Sequence, residues 1–377
     1  MKSRKPKPPI PLTVLTGFLG AGKTTLLNRL LKDPALAGTA VVINEFGAVG
    51  LDHLLVDAAE DGIIELSSGC LCCTIRGRLT TTLEDLLRAA DNGRIARLDR
   101  VIVETTGLAD PAPVLQSVVL HPYLSMRYRL DGVVTVVDAV NGAATIAAHV
   151  EAARQIAVAD RIVLTKTDLA SDEVSARCRA AIRALNPAMP ILDPRAALPA
   201  ILFDSQPFAA EGKSPDVARW LAAGTAKDSA HGHDHHHDHA RGHDHAHDVS
   251  RHDARIRSFT VTRGTAISRH ALESFLARLA RDHGAQLLRV KGLVRTTHDE
   301  GRPLVIQAAQ SVFHPPERLP AWPDADRRSR LVLIVNDLAA DAEQAIVAAF
   351  SDLPAIDSAD AETLADNPLA IPGFPNR

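Results

Sequence analysis

The 377-residue sequence predicts an α/β protein: a phosphate-loop domain with a mainly parallel sheet, followed by a smaller C-terminal α+β domain. Three observations predict this. First, Val14-Leu15-Thr16-Gly17-Phe18-Leu19-Gly20-Ala21-Gly22-Lys23-Thr24-Thr25 fits G-x-x-x-x-G-K-[ST]. It lies between an apolar β-type run at 10–15 and a stretch of helical spacing at 25–31. Second, near-continuous apolar runs recur at 39–44, 100–103, 132–138 and 159–164, as expected for buried strands alternating with helices. Third, the pattern changes beyond residue 254, where strand-like runs outnumber helical ones.

Residues 1–9 form a short basic, Pro-rich tail with too little apolar content to pack. The phosphate-loop domain spans 10–205. Its first helix runs to about Lys32, and the strand at 39–44 leads into Asn44-Glu45-Phe46-Gly47-Ala48-Val49-Gly50-Leu51-Asp52. A loop in that position can sense a γ-phosphate and its Mg²⁺. A short strand at 63–66 precedes Ser67-Ser68-Gly69-Cys70-Leu71-Cys72-Cys73, and a helix is predicted to start near Thr74 or Ile75. The strand at 100–103 ends at Glu104-Thr105-Thr106-Gly107. The strand at 159–164 ends at Thr165-Lys166-Thr167-Asp168, before a helix over 172–185. In a parallel sheet of this kind ligands gather at the carboxyl ends of the strands, where these loops lie.

A linker spans 206–254, where the periodic pattern breaks down. The smaller domain spans 255–350. It carries predicted strands at 255–263, 286–297, 303–309 and 330–335, and helices at 268–283 and 341–350. Residues 351–377 are rich in Pro and Asp and read as a tail.

A 46% hydrophobic content supports sizeable cores in two domains. The net charge of −3 supplies no broad basic field, so nucleic acid is not an expected partner. No apolar stretch is long enough for a membrane span, and the N-terminal residues lack the apolar run of a secretory signal. A cytoplasmic protein is expected, and a homo-oligomer is compatible with the sequence. Three of the four cysteines fall within four residues, whereas a disulfide framework would spread them out.

The chemistry expected of the phosphate loop follows from its residue types. Gly17, Gly20 and Gly22 let successive N–H groups turn onto an anion without side-chain crowding, and the following helix adds its positive end. Lys23 reaches the β- and γ-phosphates, the Thr24 hydroxyl ligates Mg²⁺ and completes the motif, and Thr25, directly after it, is a further candidate for nucleotide binding. Asp168 can accept from guanine N1–H and its exocyclic amine, a donor pair that adenine lacks, which favours GTP. Lys166 would lie along the base plane. Thr165 stands where such motifs usually carry Asn, a departure that weakens the base preference. Glu104 can orient the water shell of Mg²⁺, and the Gly107 N–H can meet the γ-phosphate. Leu108 cannot orient an attacking water, so slow intrinsic hydrolysis is expected.

Cys70, Cys72 and Cys73 offer three thiolates to a soft metal such as Zn²⁺, with the fourth ligand coming from elsewhere. Buried small cysteines or a redox motif are the alternatives. Cys178 lies within a helical pattern and reads as core. Nine of the 17 histidines lie in 231–247, interleaved with Asp, a composition that attracts Zn²⁺, Ni²⁺, Co²⁺ or Cu²⁺ with little selectivity.

Taken together, the phosphate loop, Asn44-Glu45-Phe46-Gly47, Cys70-Leu71-Cys72-Cys73, Glu104-Thr105-Thr106-Gly107 and Thr165-Lys166-Thr167-Asp168 resemble the CobW-like metallochaperone GTPases. The resemblance extends over about 10–350. It includes the His-rich linker and the C-terminal segments Lys291-Gly292-Leu293 and Ser329-Arg330-Leu331-Val332. It implies a P-loop GTPase domain that binds and hydrolyses GTP with Mg²⁺, and a Zn²⁺ or Co²⁺ site at the three cysteines. It also implies delivery of that metal to a client metalloprotein. Members often carry another Glu where this chain has Ala48, so one carboxylate ligand of some relatives is missing. Glu45 and His121 are the candidates for a fourth ligand. The competing expectation is a non-catalytic metal buffer in which the His-rich tract is the working part.

Overall fold

The computed structural model describes residues 8–44, 75–187, 189–203, 255–313 and 316–356. The strand expected at 63–66, the loop after Asn44, the three clustered cysteines and the linker at 206–254 lie outside the described residues.

The first domain is built on six strands: β1 (Ile10–Gly17), β2 (Thr39–Asn44), β3 (Arg100–Thr105), β4 (Tyr128–Asp138), β5 (Arg161–Thr165) and β6 (Ile191–Leu192). All pair in parallel, in the order β2-β3-β1-β4-β5-β6. Helices cover both faces: α1 (Lys23–Leu30), α2 (Ile75–Asp91), α3 (Ala112–Val119), α4 (Pro122–Arg127), α5 (Gly142–Ala148), α6 (Val150–Ala157), α7 (Asp172–Leu185) and α8 (Pro199–Leu202). The continuous apolar runs are explained by this double cover. Along β3, Val101 and Val103 join one core with Leu83 and Leu87 of α2, while Ile102 joins another with Leu26 and Leu30 of α1.

The helix expected over 172–185 forms with those limits because Ser171 caps it, its hydroxyl accepting from the Val174 N–H. β4 starts four residues earlier than the apolar run suggests. The register with β1 shifts between Leu12 and Thr13, opposite Asp131, whose carboxylate accepts from the Thr13 hydroxyl. That polar pair is buried in the sheet and broke the hydrophobic pattern.

The second sheet is antiparallel. It contains β7 (Ile256–Arg263), β8 (Leu287–Thr296), β9 (Asp299–Ala309), β10 (Val312–Phe313), β11 (Glu317–Arg318) and β12 (Ser329–Asn336). The order is β10-β9-β8-β12-β7, with β11 pairing to β9. Leu331, Leu333 and Val335 pack on one face with α9 (Arg269–His283) and α10 (Ala340–Ser351), through Phe275 and Phe350 among others. The alternate residues Val332 and Ile334 join the core of the first domain, together with Leu293 and Val305. The two sheets therefore share apolar packing. A buried ion cluster adds to it: Asp160, at the start of β5, accepts from Arg289 (2.6 Å) and from Lys291, both on β8. The second Asp160 oxygen accepts from the Val133 N–H at 2.8 Å.

Candidate nucleotide site

β1 sits between β3 and β4, so its carboxyl end opens in the middle of the sheet. Gly17 closes the strand at φ 144°, and a Cβ there would stand 2.3 Å from the Val136 carbonyl oxygen of β4. Only glycine fits. Gly20 (φ 70°) and Gly22 (φ 92°) adopt left-handed backbone, and Gly22 is the N-cap of α1. No side chain caps α1 and its first turn carries no acid, so this end is suited to an external anion.

Lys23 Nζ donates to the Gly17 and Phe18 carbonyls (2.9 and 3.3 Å), folding back over the loop. The Thr24 hydroxyl donates to Glu104 Oε1 at 2.9 Å. The structure thus brings together the two residues expected to serve Mg²⁺, across 80 positions of sequence. At the next residue of β3, the Thr105 hydroxyl donates to Thr16 Oγ1 (2.8 Å) and ties β3 to β1 at the base of the loop. Gly107 lies directly on the phosphate loop: a Cβ there would stand 2.6 Å from Leu19 N and 2.7 Å from Leu19 Cα. Thr25 is exposed on α1.

The Thr165–Asp168 loop is joined to the same cradle. The Thr165 hydroxyl donates to the Ala21 carbonyl at 2.6 Å, with the Val137 carbonyl 3.1 Å away. The departure at Thr165 therefore keeps a side-chain bond between this loop and the phosphate loop. Lys166 takes a left-handed backbone (φ 56°), and its ammonium pairs with Asp138 Oδ2 at 2.7 Å. Burial pushes the Asp138 carboxyl up. Its hydrogen bonds from Lys166, from the Asn141 side chain and from the Val140 and Asn141 N–H groups outweigh this and leave it below the usual carboxylate range. Asp168 is exposed at the rim. A cavity of about 220 Å³ under the loop is lined by Phe18, Ala21, Thr135, Asn141, Gln155 and Lys166. The Phe18 ring stacks on His149 with centroids 4.6 Å apart.

His121 caps α4, its Nδ1 accepting from the Leu124 N–H, and its Nε2 lies 3.5 Å from Glu84 Oε1 on α2. Cys178 is core: it is fully buried against Gly142, and burial, with Asp138 nearby, pushes its thiol up to about 11. Among the described residues no three His, Cys, Asp or Glu side chains gather as a metal site. Glu45, Cys70, Cys72, Cys73 and the histidines of 231–247 are outside the described residues. Two site residues carried no motif signal. Asp138 ends an apolar strand, and Gln155 is a single polar residue on the buried side of α6.

Residues 11–193 match the family model for the CobW/HypB/UreG nucleotide-binding domain, and 256–352 match the cobalamin synthesis protein cobW C-terminal domain. The zinc chaperone CobW of Sinorhizobium sp is 31% identical over 382 residues, covering 90% of this chain and 97% of that protein. The chain belongs to the CobW family. The zinc chaperone YjiA of Escherichia coli is 45% identical over 164 residues, which is 44% of this chain and 51% of YjiA. The zinc-regulated GTPase metalloprotein activator 1 of Schizosaccharomyces pombe is 38% identical over 185 residues, 47% of this chain and 44% of the relative. In these two alignments the chain spans about half the length of the relatives it matches. The crystal structure of Zn(II)-bound YjiA GTPase from E. coli superposes with a TM-score of 0.64 at 28% identity, covering 92% of this chain and all of that one. The first domain of this CobW-family chain has the P-loop GTPase fold, and an antiparallel-sheet domain follows it. No helix among the described residues is long and apolar enough to cross a membrane.

Proposed function

We propose that the protein is a GTP-binding, GTP-hydrolysing metallochaperone that carries zinc, or cobalt, and passes it to a client metalloprotein. The observation that carries the nucleotide half is the Thr24–Glu104 pair, set at the head of α1 inside the Gly17–Gly22 cradle. In this reading Gly17, Gly20, Gly22 and Thr25 line the phosphate site and Lys23 neutralises the β- and γ-phosphates. Thr24 and Glu104 hold Mg²⁺, and Gly107 meets the γ-phosphate. Lys166 and Asp168 take the base. The oxygen donors of Thr24 and Glu104 suit a hard cation. When bound, Mg²⁺ would neutralise charge on the phosphates. The metal half is supported by the names of the relatives, zinc chaperones and a zinc-regulated activator. The soft thiolates of Cys70, Cys72 and Cys73 suit Zn²⁺, in a reducing cytoplasmic setting.

Cargo and nucleotide are linked through the loops at the carboxyl edge of the sheet. If GTP tightens zinc binding, zinc must tighten GTP binding by the same factor, typically about 5–150-fold. Hydrolysis then lowers zinc affinity and favours transfer. Competition titrations against a chromophoric zinc chelator test this, on protein lacking residues 231–247. Zinc affinity should differ between GDP and a non-hydrolysable GTP analogue, and Ser at all three cysteines should erase the difference. Equal affinities in both states would sink the delivery mechanism and favour a His-rich metal buffer.

A further inference from the structure

We propose that Gln155 is a positioning residue for the nucleotide reaction: its carboxamide fixes the Gly107–Ala109 loop against the phosphate loop. The inference rests on the GTPase reading and names a residue outside every motif that supports it.

Gln155 is 1% exposed on α6. Its Nε2 donates to the Gly107 carbonyl (3.1 Å) and the Ala109 carbonyl (3.0 Å). Two carbonyl acceptors at one end settle which way the amide faces, because only the NH₂ group carries two donors. Oε1 is then buried, with no hydrogen-bond partner among the described residues. A buried polar side chain satisfied at one end only is a poor choice for stability in a helix whose neighbours are Ala152, Ala153 and Ile156. Its worth lies in the two carbonyls that it holds. The backbone of Gln155 is braced in turn, its carbonyl accepting from the Thr135 hydroxyl of β4 at 2.8 Å.

The loop held in this way is the one in backbone contact with the phosphate loop at Leu19. The side chain between the two anchored carbonyls, Leu108, is 54% exposed and supplies no anchor itself. Asp110, directly after Ala109, accepts from the Ala112 N–H at the start of α3 (3.0 Å) and from Gln310 Nε2 of the C-terminal domain (3.3 Å). Gln310 Oε1 accepts from Gln116 on α3 at 2.8 Å. The loop is therefore fixed from α6 at Gly107 and Ala109, and from the second domain at Asp110. Gln155 presets where the Gly107 N–H stands, so it governs recognition of the third phosphate more than of the first two.

The test uses the full chain with Gln155→Met and Gln155→Glu, which keep the size and remove the paired donors. GDP and a non-hydrolysable GTP analogue are titrated by calorimetry, kcat and KM for GTP are measured, and melting curves report folding. A folded variant should bind GDP like the native protein and lose about tenfold in analogue affinity and in kcat. Gln310→Ala should change both in the same direction, by less. Unchanged or increased kcat, or equal losses of GDP and analogue affinity, in a folded Gln155 variant would overturn the proposal. If both variants fail to fold, an unchanged analogue-to-GDP affinity ratio in Gln310→Ala overturns it. Native protein and Lys23→Ala serve as controls. Absence of GTP turnover in native protein defeats the GTPase reading itself, whereas native turnover lost in Lys23→Ala and kept in Gln155→Met defeats only this inference.

Discussion

Replacing Asp160 by Ala should destabilise the whole chain severely. The Asp160 side chain is 6% exposed, and those of Arg289 and Lys291 are 7% exposed. Burial pushes the Asp160 carboxyl up, but the adjacent Arg289 and Lys291 charges, with the Lys291 and Val133 hydrogen bonds, hold it far below the usual range. Removing the acid leaves two buried cations facing each other. Breaking such a cluster costs about 3–5 kcal/mol. With about 2–4 °C of melting temperature per kcal/mol for domains of this size, the midpoint should fall by about 6–20 °C. Scanning calorimetry measures it. The triple change Asp160→Leu, Arg289→Met and Lys291→Met should recover most of the loss, because apolar groups can replace a buried ion cluster at little cost. A single variant that melts within about 2 °C of the native protein would refute the reasoning.

Burial, offset in part by Asp160, brings Lys291 from 10.5 down to about 8. The unfolded chain then binds the proton more tightly, so this group costs stability below pH 8 and releases that cost as pH rises through 8 toward 10.5. Denaturant midpoints should rise between pH 8 and 9 in the native protein and not in Lys291→Met. Above about pH 9 the buried Cys178 thiol, raised to about 11, opposes the rise in both proteins, and Tyr128, whose phenol burial raises, does so above its ordinary range, so the native-minus-variant difference is the readout up to pH 10. Lys23→Ala should lower GTP affinity by at least about 100-fold, measured by titration calorimetry, in a protein that still melts cooperatively. Deleting 231–247 should lower bound zinc per chain, read by metal analysis, and leave basal GTP turnover unchanged. Gly17→Ala should destabilise by at least about 2 kcal/mol in urea titration, since its Cβ meets the Val136 carbonyl and its φ is left-handed.

Much of this architecture was legible because the deciding signals are local. The phosphate loop needs glycine at three positions for backbone reasons, and β2 and β3 are apolar because both of their faces are covered. Helix α7 has the limits expected from its position after the strand at 159–164, and the Ser171 cap and the acids of its first turn account for them. What stayed hidden depends on residues far apart in sequence. The early start of β4 comes from the buried Thr13–Asp131 pair, separated by 118 positions. Gln155 reaches a loop 48 positions away. Such polar residues look like breaks in a hydrophobic pattern until the fold supplies their partners. Thr165 shows the same point in reverse: it departs from the expected motif, yet its hydroxyl bonds to the phosphate loop through Ala21.

The position of α6 shows how the second domain bears on the proposed nucleotide site, whose cavity it does not line among the described residues. At its start, His149 stacks on Phe18 of the phosphate loop. Along its length, Gln155 holds the loop after β3. Just past its end, Asp160 is locked to β8 of the C-terminal sheet. The eight residues of α6 at about 1.5 Å each span roughly 12 Å, with His149 and Asp160 just outside its two ends, so one short element joins all three. The C-terminal domain also reaches the loop directly, through Gln310 and Asp110. If the Gly107 loop shifts to meet a third phosphate, as the proposed function requires, it must either stretch the Gln155 bonds or carry α6 with it. In the second case it moves against a buried ion cluster that resists separation. Under the proposed function the domain contact would then be a load on the nucleotide switch, with the free energy of phosphate recognition divided between the loop and the interface.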